Sequence, residues 1–484
     1  MHMTPSAICA AVALLFATHT GFAQAADPLR EAAQKAVQSN PEVTARFNAY
    51  RAAGDAVNVA RGGFLPRVDL NASAGRDNDR ITGRLPDESQ SLNRSQIGLT
   101  LTQLLWDGLG TRKDVDRLTH ERLARYFELL EATEQTVLEA ARAHYDVQRF
   151  RRLVQLAEDN YVQHRYALLQ IQSRVKAGVG RGVDLEQANA RLALAESNLA
   201  TELANLHDVT ARYQRIVGEL PPSQLPALAM LKDGVPANAA DVVGSSLRQS
   251  AAISASIEAL RAARQAASAR ESAFQPRVEA RLSGSGGRNV DGIEDRKRNG
   301  SALLVLNWNL YNGGADTARL QQQKNLLNQA ADVRDRVCRD TRQVASIAFN
   351  DTRKLAEQLV YLERNTLAIE KARDAYRQQF DIGQRSLLDL LNAENEVYTA
   401  RRAYANAEHD LALAYARTHA AMNRLGTTLG IARTDRQADE AAGWSAGDDA
   451  PSRCPVAVAE IGATDRAALD ARAESLSRSA PAPR

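Results

Sequence analysis

The feature that most constrains this chain is an internal repeat, in which one unit occurs twice about 205–210 residues apart. A Pro-rich connector separates the two copies, as expected between units that fold separately. We therefore divide the chain into a first repeat at residues 26–218, a connector at 219–240 and a second repeat at 241–426. Four matches support this division, in the same order in both copies: FLPRV at 64–68 with FQPRV at 274–278, LWDG at 105–108 with LYNG at 310–313, Gly178 and Asp184 with Gly383 and Asp389, and Val217–Gly218 with Leu425–Gly426.

The two ends of the chain differ from the repeats. An apolar run at residues 8–16 precedes the sequence Ala-Gln-Ala, which predicts a secretory signal over residues 1–25. The alternative, an N-terminal membrane anchor, requires a longer apolar run. Residues 427–484 are rich in Ala, Arg, Asp, Ser and Pro without an apolar seam, and we expect a disordered tail with a short helix possible near 464–475.

Each copy has the pattern of a helix, a strand, a polar loop, a second strand, a very long helix, a tight break and a last helix. The strands alternate: Leu304, Leu306 and Trp308 share one face, and the polar loops fall at 77–94 and 285–300. A tilted strand of about 9–11 residues crosses a bilayer, and Trp106, Trp308 and Tyr311 would then lie at a membrane–water boundary. Taken alone, the strands fit a soluble hairpin equally well.

The helices are too long for an ordinary globular domain. Residues 111–177 and 315–382 contain no Pro and almost no Gly, so each predicted helix is about 100 Å long. In the last helix of each copy, large residues recur every seventh position and small residues recur three positions later, which lets helices approach closely. A coiled-coil stalk protein is the alternative, but the secretory signal and the paired strands argue against it.

The strands also predict an oligomer. Every backbone polar group in lipid needs a partner, so a membrane-spanning sheet must close into a barrel. Four strands per chain are too few, because the smallest barrels have about eight. We therefore expect a mixed fold, with a transmembrane β-barrel shared between subunits and a long α-helical coiled-coil barrel. This argument requires two or more chains and does not fix the number.

The repeat, the strand pairs, the long helices and the segment GQRSLLDLL at 383–391 resemble the TolC family of outer-membrane efflux and secretion channels. The resemblance implies a homotrimer in the outer membrane, in contact with its lipid, with twelve strands in one barrel and a twelve-helix tube in the periplasm. It also implies an inner-membrane transporter and a periplasmic adaptor as partners. The stretch AGVGRGVDLEQA at 177–188 and the lack of a lipid-anchor motif resemble the type I secretion branch, in which the pump is an ABC transporter and the cargo an unfolded protein. Multidrug or other small-molecule efflux is the alternative.

The resemblance also suggests roles at the two helical breaks. By position, Asp389 matches an aspartate that lines the pore constriction, and Arg385 matches an arginine that locks the helices shut with Asp184 as its partner. Two positions depart from the family pattern: Asn392 replaces a second ring aspartate, and Phe380 replaces the tyrosine of the lock. We therefore expect three ring carboxylates per trimer rather than six, and weaker cation binding.

Other function classes have little support in the sequence. The near-balanced charge, formally +3, gives no argument for nucleic acid binding. The histidines are scattered along the helices without a catalytic or metal-binding motif, so we expect neither an enzyme nor a cofactor or metal site. The positions of Cys338, in a predicted helix, and Cys454, in the tail, suggest no disulfide.

Overall fold

A computed structural model describes residues 28–81, 88–292, 294–432, 440–457 and 464–479; the predicted secretory signal at 1–25 lies outside these ranges. The order helix, strand, strand, long helix, helix occurs in both halves. The elements, in chain order, are α1 Pro28–Ser39, α2 Pro41–Arg61, β1 Arg67–Ile81, β2 Glu88–Trp106, α3 Gly110–Lys176, α4 Gly182–Val217, α5 Ala239–Gln249, α6 Ala251–Glu271, β3 Arg277–Arg288, β4 Arg296–Asn307, α7 Ala315–Asp381, α8 Leu387–Ala421, α9 Leu425–Thr428 and α10 Arg466–Ser479.

The two long helices have the predicted extent. Both α3 and α7 contain 67 residues, so each is about 100 Å long. The first helix of the first repeat, predicted as one element, is instead broken into α1 and α2 at Asn40. This residue precedes a proline, which disfavours helical backbone, and its side chain accepts a hydrogen bond from the Glu42 N–H at the start of α2. Ser250 caps α6 in the same way after α5.

The four strands form one antiparallel sheet in the order β1-β2-β3-β4. The strands contain 15, 19, 12 and 12 residues, more than the 9–11 expected, because the ladder continues into the polar segments predicted as loops at 77–94 and 285–300. Among the described strands, β1 and β4 each have a neighbour on one side only. The sheet of a single chain therefore ends in two open edges.

The register places the apolar strand residues on one face. Val68 lies opposite Leu101, and Leu70 lies opposite Leu99. Across the rest of the sheet, Leu101 pairs with Leu282, which in turn pairs with Ala302. Val68, Leu70, Leu99 and Leu282 are exposed in the single chain, and Leu101 is partly exposed. We call this side of the sheet the apolar face.

The helices pack as two antiparallel hairpins, α3 with α4 and α7 with α8. Their seams contain alternating large and small residues, as the heptads predict, and one seam position holds a charge. Glu202 of α4 is only 2% exposed and forms an ion pair with Arg402 of α8 at 2.7 Å. In the described part of the chain, no helix combines the length and apolarity needed to cross a membrane.

The prediction of a disordered tail was wrong for residues 440–457, which we call the C-terminal strap. Trp444 packs edge-on against Phe127 of α3, with ring centroids 4.9 Å apart. The prediction that the cysteines form no disulfide was also wrong, because Cys454 is bonded to Cys338 of α7 across a sequence separation of 116 residues. Context along the sequence could not reveal this bond, since it forms only where the strap folds back along α7. Farther on, α10 occupies most of the region in which a short helix was considered.

Candidate functional site at the helical tips

Both hairpins reverse direction at a glycine with left-handed backbone. Gly178 follows α3 with φ of +75°, and Gly383 follows α7 with φ of +76°. This conformation is strained for residues with a Cβ atom, which explains a glycine at each break. Val179 and Ile382 are exposed beside these glycines. The tip of each hairpin therefore presents a short, surface-exposed turn followed at once by a helix N-terminus.

At the second turn, Ser386 caps α8. Its hydroxyl accepts a hydrogen bond from the Asp389 N–H at 3.2 Å and donates one to the Asp389 carboxylate at 2.8 Å. Arg385 lies 3.7 Å from the same carboxylate. The Ser386 hydroxyl, with the Arg385 charge nearby, lowers the pKa of Asp389 below its ordinary value. Asp389 is therefore held ionised on the exposed surface of the tip.

Within the chain, Arg385 and Asp184 do not form the predicted pair. The Arg385 guanidinium lies over the Tyr376 ring, 4.5 Å from its centroid, and donates to the Gln379 side chain at 3.1 Å. Asp184 accepts from Arg181 at 3.2 Å. Each residue therefore has its partners on its own hairpin, at the end of α7 for Arg385 and in the turn before α4 for Asp184.

The aromatic residue beside Arg385 is Tyr376. Matching positions to the family pattern pointed to Phe380 instead. Tyr376 occupies a heptad seam position, and the reversal at Gly383 brings the chain back over it. Phe380 instead is buried among leucines of the tip, and Arg174 of α3 lies over its ring at 4.7 Å. Phe380 therefore joins the two hairpins through packing, and the tyrosine hydroxyl in this turn belongs to Tyr376.

Asn392 connects the two hairpins at the tip. Its side-chain oxygen accepts a hydrogen bond from Arg191 of α4 at 2.7 Å. Two residues farther along α8, Glu394 accepts a hydrogen bond from Arg377 of α7, which also donates to Gln163 of α3. A neutral side chain paired with an arginine thus occupies the position at which the family pattern has a second aspartate.

The aromatic residues predicted at a membrane boundary lie at the end of the sheet next to the long helices. Trp106 is the last residue of β2, and Trp308 directly follows β4. Trp308 donates its indole N–H to the carbonyl oxygen of Phe274 at 3.3 Å, and Tyr311 is 84% exposed in the turn before α7. The three residues therefore lie at the end of the sheet nearest the long helices.

The sequence profile that describes outer membrane efflux proteins matches residues 32–219 and 242–424, which are most of the chain. The chain belongs to this family. The outer membrane efflux protein BepC of Brucella suis is 27% identical over 426 residues, covering 88% of this chain and 91% of that protein. The outer membrane protein TolC of Escherichia coli is 23% identical, covering 80% of each chain.

Solved structures agree on the fold. The CmeC outer membrane channel of Campylobacter jejuni has a TM-score of 0.72 at 14% identity, over 84% of this chain and 87% of that one. The resemblance to the TolC family is thus confirmed, and the protein is a TolC-family outer membrane factor that reaches from the outer membrane into the periplasm. Its relatives are channel proteins rather than enzymes.

Proposed function

We propose that three copies of this chain close a single twelve-stranded barrel in the outer membrane, continued by a tube of twelve helices. The observation that supports it most strongly is the sheet, whose two open edges and exposed apolar face are both unsuited to a single chain. Strands alternate in direction from β1 to β4, so β4 of one copy is antiparallel to β1 of the next. The same ladder pattern can therefore continue across each joint.

The helical tips then form the constriction of the tube. Asp389 contributes three carboxylates per trimer, and Asn392 contributes none. The nearby Arg191 adds a positive charge on each subunit, which reduces the attraction for cations by Coulomb interaction. In this proposal Arg385 closes the constriction through Asp184 of the neighbouring subunit, an interaction in addition to its contacts with Tyr376 and Asp389.

Single-channel recording in planar bilayers tests the constriction. Asp389→Asn should reduce the cation selectivity measured by the reversal potential, because it removes the ring of charge. Arg385→Ala and Asp184→Ala should each raise conductance, and the double variant should raise it no further than the larger single effect. Asp208→Ala is the matched control, since Asp208 is an exposed aspartate of α4 far from the tip. Unchanged conductance in both single variants would refute the lock.

For the cargo, we favour an unfolded protein exported with an ABC transporter and a periplasmic adaptor. One feature favours it, the first-repeat tip sequence at 177–188, which resembles the type I secretion branch. Small-molecule efflux is the second candidate, favoured by BepC, whose name describes an efflux protein. Crosslinking from the tip followed by mass spectrometry would distinguish them. Capture of an ABC transporter, with a protein missing from the culture medium of a deletion strain, supports secretion; capture of an ion-driven pump, with drug sensitivity, supports efflux.

A further inference from the structure

The apolar face of the sheet changes character at one level, where arginines replace the aliphatic residues. Along β4, the positions on this face run from Leu306 and Leu304 through small residues to Arg298 and Arg296. Along β3, the same face runs from Leu282 through Gly284 and Gly286 to Arg288. On β1 it runs from Leu70 through alanines to Arg76. We call Arg76, Arg288, Arg296 and Arg298 the arginine belt.

The strand register shows that these arginines form one row. Arg288 lies directly opposite Arg296, and Arg298 lies opposite the neighbouring Gly286. Arg288 is also opposite Ser95 of β2, and Arg76 is opposite Asn93, two positions along the same strand. Residues opposite each other in a ladder point to the same side. The belt therefore crosses the whole sheet at nearly one height.

The acidic residues are confined to one of the two faces. In the described strands, every Asp and Glu points to the face opposite the belt, where Asp77 lies 3.6 Å from Arg94 and Glu279 accepts from Arg277 at 2.6 Å. Arg76 bonds to the Ser91 hydroxyl at 2.6 Å. The other three belt arginines are exposed and have no ion pair within the part of the chain that the structure describes. A merely solvated face would mix both signs of charge.

The distance from the arginine belt to the aromatic residues at the other end of the sheet matches the thickness of the apolar band of a membrane barrel. Trp308 and Arg298 are about ten residues apart on one face, or about 33 Å along the chain at the rise of a strand. With a typical barrel tilt this corresponds to about 25 Å of height, which matches the apolar band of outer-membrane barrels. The belt therefore lies where lipid headgroups begin, on the side away from the periplasmic helices.

We propose that the arginine belt binds the phosphate groups of a phosphorylated lipid in the outer leaflet of the outer membrane. A guanidinium group is weakly hydrated and binds two phosphate oxygens at once, and the small and aliphatic residues below the belt on the same face accommodate acyl chains. Within the described strands, no carboxylate on this face competes for the arginines. The proposal rests on the shared barrel proposed above, because the apolar face must be turned toward lipid.

The test uses the full-length trimer in phosphatidylcholine nanodiscs that contain either bis-phosphorylated lipid A or the same lipid with its phosphates removed. The lipid A that stays bound through purification is quantified by mass spectrometry. The wild-type protein should retain the phosphorylated form preferentially. The variant R288Q/R296Q/R298Q should lose about fivefold in apparent affinity per arginine, or on the order of 100-fold in total. Arg298→Gln alone should lose about fivefold, which provides a test if the triple variant assembles poorly.

Lys297→Gln is the matched control, because Lys297 lies at the same height between two belt arginines but on the opposite face. It should retain as much phosphorylated lipid as the wild type. Three results would overturn the proposed lipid binding. They are equal retention of both lipid forms, a triple variant that retains as much phosphorylated lipid as the wild type, and displacement of the lipid by millimolar inorganic phosphate. Conductance of the same preparations separates the two proposals: conducting channels without phosphate preference refute only the belt, whereas protein that forms no channel refutes the barrel.

Discussion

Two of the contacts that hold the C-terminal strap to the helices are independent of each other, and removing them one at a time should show what each contributes. One attachment is electrostatic. Asp449 accepts from Arg264 at 2.6 Å and from Arg261 at 2.9 Å, and these arginines, Arg264 first, lower the pKa of Asp449 from 3.8 to about 2. The other attachment is covalent, through the bond between Cys338 and Cys454.

The two attachments differ in the free energy that each contributes to stability. The lowered pKa corresponds to on the order of 2 kcal/mol, which is fully present above about pH 4 and is lost as the pH falls toward 2, where Asp449 is protonated in the folded state. A crosslink between residues 116 apart constrains the unfolded chain by about 4–5 kcal/mol. Asp449→Asn should therefore loosen the strap in the oxidised protein without releasing it.

Hydrogen exchange of residues 440–457 and trypsin cleavage at Arg453 measure this loosening. Asp449→Asn should lower protection of the strap by on the order of 30-fold at pH 7. Reduction alone should leave the strap docked but cleavable at a low rate. The variant combined with reduction should lose the most protection, although Trp444 on Phe127 and the ion pairs of Arg453 with Asp332 and Asp335 remain. Asp448→Asn is the control, because Asp448 is the exposed neighbour of Asp449 and the substitution removes the same charge. If the strap is equally protected from hydrogen exchange in the Asp449→Asn and Asp448→Asn variants, the electrostatic attachment is refuted.

Three further predictions concern other parts of the molecule. Burial raises the pKa of Glu134 to about 7, although hydrogen bonds from the backbone N–H groups of Gly426 and Leu425 oppose this rise. Between pH 4.5 and 7 the folded protein therefore binds one more proton than the unfolded chain. Its free energy of unfolding should fall by on the order of 2–3 kcal/mol as the pH rises through this range. Glu134→Gln should flatten this dependence in thermal unfolding at pH 5 and pH 8; a profile unchanged from wild type would contradict it. Gly108→Ala should cost at least about 1–2 kcal/mol in thermal unfolding, because φ is +67° and the new Cβ would lie 2.6 Å from Gln275, whereas Gly62→Ala meets no neighbouring atom. Leu304→Arg on the apolar face should destabilise the inserted barrel by about 2–4 kcal/mol, measured by urea unfolding in lipid, and the opposite-face control Ser301→Arg should not.

Much of the helical architecture could be predicted from sequence because its signals are local. The absence of proline set the length of α3 and α7, the glycines marked both breaks, and the Ser386 cap follows from a serine three residues before an aspartate. The Asn40 break was missed only because periodicity was given more weight than the proline that follows it.

What could not be predicted depends on residues that are distant in sequence. The Cys338–Cys454 bond and the docking of Trp444 require the strap to fold back along α7, which no local pattern indicates. At the tip, alignment of positions pointed to Phe380, whereas the path of the chain after Gly383 brings Arg385 over Tyr376. Matching positions to a family identifies the region of a site but does not give the contacts within it.

The position of the disulfide has a mechanical consequence. Residues 338–454 form a covalently closed ring that contains the lower part of α7, the second tip and all of α8. A pull applied to that tip by a docked partner is transmitted along two covalent routes to the middle of the molecule. The first hairpin has no such ring within the described chain, so the two halves should differ in compliance even though their elements follow the same order.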